Sequence, residues 1–241
     1  MNNSVSRLQR DLTKQGLSII RCDNLNDIES ISRQLINKFK KNKSFKSKLK
    51  KINIKEINKL RKLVNKFEDT MVNSIKQIYL NKFPENILKA FSSVLFPMLG
   101  SKIFISKSAQ FLPHIGYSDL TATWPHSELM AGHSPFTYTI WMPLHNIIDN
   151  SGIFAINDKL SVKLCDIEIK KQIKNRRKFL SGHSFFPKLN FGEAIIFNTF
   201  VYHGAIKHKN DRARLALVIR VQNSNRPLFE KYNDFFTTLN L

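Results

Sequence analysis

WPHSELMAGHSPFTYTIWMPL, residues 124–144, joins a polar head to a strand-like run. The second part, FTYTIWMPL, is aromatic and β-branched, the composition of a strand packed on a sheet. The head carries His126 and Glu128 two residues apart. Side chains on a strand alternate with a period of two, so an H-x-E there puts both groups on one face. Such a pair is either an ordinary polar face or two legs of a metal site that needs a third.

The same texture recurs along the chain beyond Gly100. KIFISKSAQFL, LTATWPH, GIFAI, GEAIIFNTF, VYHGAI and RLALVIRVQ are short apolar runs separated by Pro, Gly, Asn and Asp. Many short strands without alternating helices predict an antiparallel sandwich or barrel such as a jelly roll. CDIEIKKQIKNRRKFL, residues 165–180, reads as a basic helix inserted between strands, and RPLFEKYNDFFTTL, from Arg226, as a C-terminal amphipathic helix. There is no internal repeat.

The first hundred residues read differently. GLSIIRC, residues 16–22, suits one early strand, and Asn24 or Asn26 suits the N-cap of a helix carrying Ile28, Ile31, Leu35 and Phe39. From Ile54 to Leu80 apolar residues recur every three or four positions, the spacing of an amphipathic helix ended by Pro84. ENILKAFSSVLFPMLG predicts one more helix closing near Gly100. Residues 1–100 are therefore expected to be a mainly helical elaboration on a core formed by 101–241, within one α+β domain.

Composition narrows the classes. With 42% apolar and 11% aromatic residues the chain can bury a sizeable core, which excludes global disorder. Cys22 and Cys165 are the only cysteines, so a disulfide scaffold is excluded and a reducing, cytoplasmic setting is expected. No apolar run approaches the ~20 residues that span a bilayer, and the N-terminus has no apolar signal-like stretch. The formal charge is +21, which fits an anionic substrate but equally a Lys-, Asn- and Ile-rich coding bias. The basic stretch 38–62 carries few aromatics, so it reads as a solvated helix face and loop, and nucleic acid is not an expected partner.

His203, in FNTFVYHGAI, is the best third leg for His126 and Glu128. Two imidazoles and a carboxylate form the facial triad of non-haem Fe(II) oxygenases, which leaves positions open for a co-substrate and dioxygen. Eleven residues after His203, Arg214 opens RLALVIRVQ, where a guanidinium fork can grip a carboxylate. Arg212 and Arg220 are its rivals, Arg220 on the same strand face. His114, His133, His145 and His183 border loops or strand ends and read first as incidental, and His208 as solvent-exposed. No glycine-rich phosphate loop, Ser-His-Asp order or zinc-type cysteine cluster is present.

Taken in order, HSE, TIWMPLHNIIDNSGIFAI, GEAIIFNTFVYHGA and the following Arg resemble the phytanoyl-CoA dioxygenase-like branch of the Fe(II)/2-oxoglutarate oxygenases, over about residues 100–222. HSELMAGHSPFTYTIWMPL is similar, more narrowly, to oxygenases of bacterial carbohydrate-biosynthesis clusters, which carry HSD-x-x-x-G-x-SP before an LWxPL strand. The resemblance implies a double-stranded β-helix core, cupin-like. It implies Fe(II) on His126, Glu128 and His203, with 2-oxoglutarate and O2 as co-substrates and Arg214 on the 2-oxoglutarate C5 carboxylate. Trp141 matches a pocket position beside the co-substrate, or is simply core, and Thr139 shares its face. Glu128 stands where the relatives usually carry Asp, and IND stands where a proline-glycine turn often follows the central strands. A halogenase is disfavoured, because that chemistry generally frees the carboxylate position. The implied activity is oxidation of a small molecule, a sugar or nucleotide-linked, phosphorylated sugar. The rivals are a metal-dependent sugar isomerase or epimerase, and a binding module that kept only the barrel.

Overall fold

The computed structural model describes residues 3–41, 57–116, 124–171, 173–229 and 234–241. Helix α1 (Asn3–Gln15) buries Val5, Leu8 and Leu12, one stripe at helical spacing. It stops at Gly16, whose φ of 77° lies in the left-handed region, and a side chain there would meet Asp158 and Val201 at 2.8 Å. Strand β1 (Leu17–Arg21) follows at once. Asn24 then turns the chain into α2 (Leu25–Lys41), its Oδ1 accepting from the Asn26 N–H at 3.0 Å.

The helix anticipated over 54–80 is divided. Its described part is α3 (Ile57–Val64) and α4 (Asp69–Lys76), joined by a turn in which Lys66 and Phe67 donate three residues back. That tightened turn keeps Phe67 on the buried side with Val64 and Val72, so the apolar spacing survives a break it does not reveal. The helix anticipated before Gly100 is likewise two, α5 (Phe83–Ala90) and α6 (Ser92–Leu99), parted at Phe91. The cause lies far back along the chain. The carboxylate of Asp23 accepts from the Ser92 hydroxyl at 2.9 Å and the Ser93 N–H at 3.0 Å, capping α6 from outside.

Seven antiparallel strands form the main sheet in the order β1–β6–β4–β8–β2–β9, with β3 also on β8. Here β2 is Lys102–Ser106, β3 Gln110–His114, β4 Tyr138–Pro143, β6 Glu193–Asn198, β8 Arg214–Asn223 and β9 Phe236–Asn240. Strand β8 is long enough to pair β3 through Arg214–Val218 and β2 through Val221–Asn223 on one side while β4 takes the other. A second sheet pairs β5 (Phe154–Ile156) with β7 (Tyr202–Gly204), and single bridges add His126 and Phe185 to it. Both faces of the main sheet are covered. Ile140, Met142, Ile196, Leu215, Leu217 and Ile219 join the cluster under the helices, while Trp141, Ile195, Phe197, Ala216 and Val218 face the second sheet. Two-sided burial explains why these strands read as near-continuous apolar runs. The core is a double-stranded β-helix.

Two further expectations change. The inserted helix is a pair, α7 (Asp158–Ile169) and α8 (Ile173–His183), separated where Lys171 takes φ 53°. The C-terminal helix does not form over the described residues: Phe236–Asn240 is β9, laid antiparallel on β2. The aromatic and threonine residues that suggested an amphipathic helix are good strand formers, and β2 offers them an unpaired edge. Of the basic stretch, residues 42–56 lie outside the described residues. Among the described residues no helix is long and apolar enough to cross a membrane, and Cys22 and Cys165 form no disulfide there.

Candidate metal centre

The second sheet brings the first two histidines together. His126 and His203 exchange backbone hydrogen bonds of 2.9 and 2.8 Å, and their rings lie 4.5 Å apart. Only His126 has a strand-type pairing: Glu128 begins a turn, held by the Ala131 N–H on Ser127 O at 3.1 Å, rather than continuing a strand as its spacing had suggested. The turn nevertheless returns its carboxylate to the imidazoles. Ligand atoms of His126, Glu128 and His203 all lie within 4.8 Å of one another, with His203 Nε2 3.8 Å from Glu128 Oε1. A modest contraction closes such a set on one ion, whose bonds are ~2.1 Å.

Each imidazole is held by its other nitrogen. Nδ1 of His126 donates to the Trp124 carbonyl at 2.7 Å and Nδ1 of His203 to Val201 O at 3.1 Å, which leaves both Nε2 lone pairs toward Glu128. A backbone acceptor behind the ring fixes the tautomer a metal ligand needs. Burial, with His126 beside it, pushes the His203 imidazole down to about 4, so it is neutral near pH 7.

Glu128 is 2% exposed and Arg220 meets it as a fork, Nε to Oε2 at 3.1 Å and Nη2 to Oε1 at 3.0 Å. His133 Nε2 stands 3.4 Å from Oε2. Burial would raise this carboxyl, but the Arg220 guanidinium, with His203 and His133, outweighs it and holds the group at about 2. Arg220, a rival for the co-substrate clamp in the sequence, is thus the partner of the triad's acid.

The triad opens on a chamber of about 270 Å³ between the sheets, floored by Thr139, Trp141, Phe197 and Val218. Next to the chamber's Trp141, Arg214 is fully buried, its guanidinium 5.4 Å over that ring and its Nη1 donating to Gly152 O at 3.3 Å. It has no carboxylate partner among the described residues, and burial alone brings its guanidinium down to about 9. Across the ladder from it stands His114, on the face of β3 that also carries Gln110 and Leu112. The buried Nε of Arg214, Nε1 of Trp141, Oγ1 of Thr139 and both ring nitrogens of His114 have no hydrogen-bond partner among the described residues. Buried polar groups are normally paired; of these, Thr139 and Trp141 line the chamber, Arg214 lies over the Trp141 ring, and His114 pairs with Arg214 across the β3–β8 ladder.

The other predicted residues fall elsewhere. Arg212 lies beside Asp211, at 3.5 Å, on a different and larger cavity of about 630 Å³ between α2, α3 and the loop after β4. That cavity balances Arg33, Arg61 and Arg212 against Glu29, Asp149 and Asp211, and it contains none of the triad. His208 is buried rather than exposed: its N–H donates to Gly116 O at 2.8 Å and its ring meets His114 edge-on at 4.9 Å. Gly116 permits this, since a Cβ there would come within 2.3 Å of the His208 carbonyl. His145 is buried as well, its Nε2 accepting from Leu215 N–H at 3.1 Å. Sequence reasoning takes His114 first as incidental, with contact to substrate as its alternative role, and gives no role to Lys76, which lines the chamber. The pairing parity of β3 with β8 could have drawn attention to His114. Nothing local marks Lys76.

No family model matches the chain, and no curated protein matches it in sequence. Solved structures do match in fold. They include the non-heme monooxygenase ThoJ as a nickel complex (13% identity, TM-score 0.53, 90% of this chain and 77% of that one). The α-ketoglutarate-dependent epimerase SnoN from nogalamycin biosynthesis matches at 12% identity and TM-score 0.52, over 96% of this chain and 88% of its own. HygX from Streptomyces hygroscopicus, with nickel and 2-oxoglutarate bound, matches at 10% and 0.55, over 95% and 92%. At these identities the likeness is one of fold: the chain shares the double-stranded β-helix of these enzymes.

Proposed function

We propose that this chain is an Fe(II)- and 2-oxoglutarate-dependent oxygenase acting on a small molecule. The observation that carries the reading is the pairing of two features: a carbonyl-backed His126–Glu128–His203 cluster, and, beside the chamber wall at Trp141, a fully buried Arg214 that has no carboxylate partner among the described residues and whose Nε is unpaired there. The donor set fits a divalent iron, since it offers two imidazoles and one carboxylate and leaves room for further ligands. The unpaired atoms of Arg214, Thr139 and Trp141 fit the far carboxylate of a dicarboxylate. Fold neighbours have been solved with iron and α-ketoglutarate (SnoN) and with nickel and 2-oxoglutarate (HygX), which supports the same assignment.

With iron and 2-oxoglutarate bound, the chemistry supplied is reduction of O2 coupled to decarboxylation of the keto acid and oxidation of the substrate. The residues of this chain bind and orient. His126, Glu128 and His203 would hold the metal, with Arg220 fixing the rotamer of Glu128. Arg214 would anchor the C5 carboxylate, with Thr139 Oγ1 and Trp141 Nε1 as donors beside it. Walls of Phe197, Val218 and Ile153 exclude water. The resemblance to phytanoyl-CoA dioxygenase-like enzymes of carbohydrate clusters supports a sugar or nucleotide-linked sugar as substrate, hydroxylation as outcome and the cytoplasm as location.

One observation favours a second reading, a binding module without metal: Arg220 already occupies both oxygens of Glu128. Anaerobic titration with Fe(II) and 2-oxoglutarate separates the two. The oxygenase gives a weak visible charge-transfer band that disappears in His126→Ala and weakens in Arg214→Ala. A folded, metal-free protein that gives no band refutes it.

A further inference from the structure

The cavity of about 630 Å³ between α2, α3 and the loop after β4 carries three arginines and three acids, yet the two sides are not equally engaged. Two of the acids are already partnered. Asp149 accepts from the Ser151 N–H at 2.8 Å with one oxygen and from Asn210 Nδ2 at 2.7 Å with the other. Asp211 is largely in solvent, its side chain 71% exposed, with Lys62 Nζ at 3.7 Å and Arg212 Nε at 3.5 Å. Of the three, Glu29 alone makes no hydrogen bond or ion pair among the described residues.

The arginines keep donors to spare. Arg33 has no partner among the described residues, and the buried Nε of Arg212 has no hydrogen-bond acceptor there. Arg61 gives Nε to the Ala213 carbonyl at 2.9 Å and Nη1 to Asn58 Oδ1 at 3.1 Å, both neutral acceptors, and forms no ion pair among the described residues. Ala213 in turn donates its N–H to the Arg61 carbonyl at 3.2 Å, so α3 is pinned to the residue that follows Arg212. Two guanidiniums are thereby fixed on one cavity. Their nearness shows in Arg61, which burial and then Arg212 push down to about 10, with Asp149 and Asp211 acting the other way. Cationic donors drawn out of water without acceptors mark a place for an oxyanion.

We propose that this cavity is a second binding site, for a small organic oxyanion that also carries a hydroxyl. Arg61 and Arg212 grip the carboxylate or phosphate, Arg33 adds a third positive charge, and Glu29 accepts from the hydroxyl. A guanidinium fork matches either oxyanion through parallel N–H bonds. Leu144, Ile148 and Phe191 offer apolar surface to the carbon skeleton, and the volume lies in the range of small-molecule sites. The site stands on its own lining, whether or not the triad binds iron. It also adjoins the frame of Arg214. His145, on the cavity wall, accepts from the Leu215 N–H at 3.1 Å, and Ser151, also on the wall, precedes Gly152, whose carbonyl takes Arg214 Nη1 at 3.3 Å. An occupant therefore touches the loop that holds Arg214 without entering the triad chamber.

The test is calorimetry of the full, metal-free chain in a chloride buffer at neutral pH, with glycerol 3-phosphate and malate as probes and inorganic phosphate and succinate as their counterparts without a hydroxyl. The proposal expects heat from glycerol 3-phosphate or malate, the tighter of the two naming the oxyanion. Affinity should fall about tenfold in Arg212→Met, the effect of losing one charge-assisted pair, fall also in Arg33→Met, and be unchanged in Lys102→Met, a lysine outside the cavity. Should Arg212→Met fail to fold, Arg33→Met, an exposed position of α2, decides alone. No heat from any probe, or affinities indifferent to both arginine variants, overturns the site. The advantage of the hydroxylated probe over its counterpart should vanish in Glu29→Met. Equal affinities in wild type, or an advantage that survives Glu29→Met, overturn the role of Glu29. With no metal present, failure here leaves the oxygenase reading untouched.

Discussion

Arg220, which lines the triad chamber, and His114, paired with Arg214 across the ladder, make opposite demands on the fold. Arg220 compensates a carboxylate that is otherwise buried, and removing one partner of a buried pair leaves an uncompensated charge, at a cost of about 3–5 kcal/mol. Arg220→Met is therefore expected to lower the unfolding free energy of the metal-free protein by that order, and added Ni(II) should recover part of it by supplying Glu128 with another cation. Urea denaturation with and without Ni(II) reads both effects; a loss that Ni(II) does not relieve argues against Glu128 as a ligand. His114 is the reverse case. Its unpaired nitrogens carry a desolvation cost of roughly 1–3 kcal/mol without return in the ligand-free chain. His114→Leu should leave stability unchanged or raise it while weakening 2-oxoglutarate about tenfold, as read by titrating the charge-transfer band. Unaltered 2-oxoglutarate affinity would show that His114 is only packing.

At the scale of elements, the strands were legible because two-sided burial writes itself into composition: in YTIWMP and EAIIFN apolar residues face both sides, Ile140, Met142, Ala194 and Ile196 toward the helices and Trp141, Ile195 and Phe197 toward the second sheet. What stayed hidden was set by distant partners. The split between α5 and α6 depends on Asp23, and the strand character of Phe236–Asn240 depends on the free edge of β2. The candidate site divides in the same way. Motif spacing singled out His126, Glu128 and His203, which the fold gathers within 4.8 Å, and named Arg214 as a clamp candidate, while the fork of Arg220, the pairing of His114 opposite Arg214 and the entry of Lys76 from α4 exist only once sheet and helices meet. The Asp23 cap has its own consequence. Asp23→Ala removes acceptors from the start of α6 and should cost about 1–2 kcal/mol, without changing metal affinity, since this exposed cap lines neither the triad nor its chamber. A denaturation midpoint equal to wild type would mean that α6 is held by packing alone.

For the whole molecule, the buried histidines set the acid limit of stability more than the large net charge does. His114 is pushed down to about 2 by burial, then by Arg214, His208 and Lys76 around it. His145 is pushed to about 3 by burial, then by Arg61 and Arg214, with the Asn146 carbonyl and Asp149 acting the other way. In the unfolded chain both titrate near 6.5. Between these values the unfolded state binds protons the native state refuses, so stability is unaffected above about pH 6.5 and falls as the pH drops below it, by about 1.4 kcal/mol per unit for each histidine. The fall persists toward pH 3, where His145 begins to charge in place. Urea unfolding at pH 7.5 and 5.0 should therefore differ by a few kcal/mol, and His114→Leu should remove close to half of the part these two residues contribute. Because Arg214 is among the charges that keep His114 neutral, 2-oxoglutarate seated on Arg214 should make the acid loss shallower. A pH profile of the same slope with and without 2-oxoglutarate would mean that the dicarboxylate does not reach that end of the chamber.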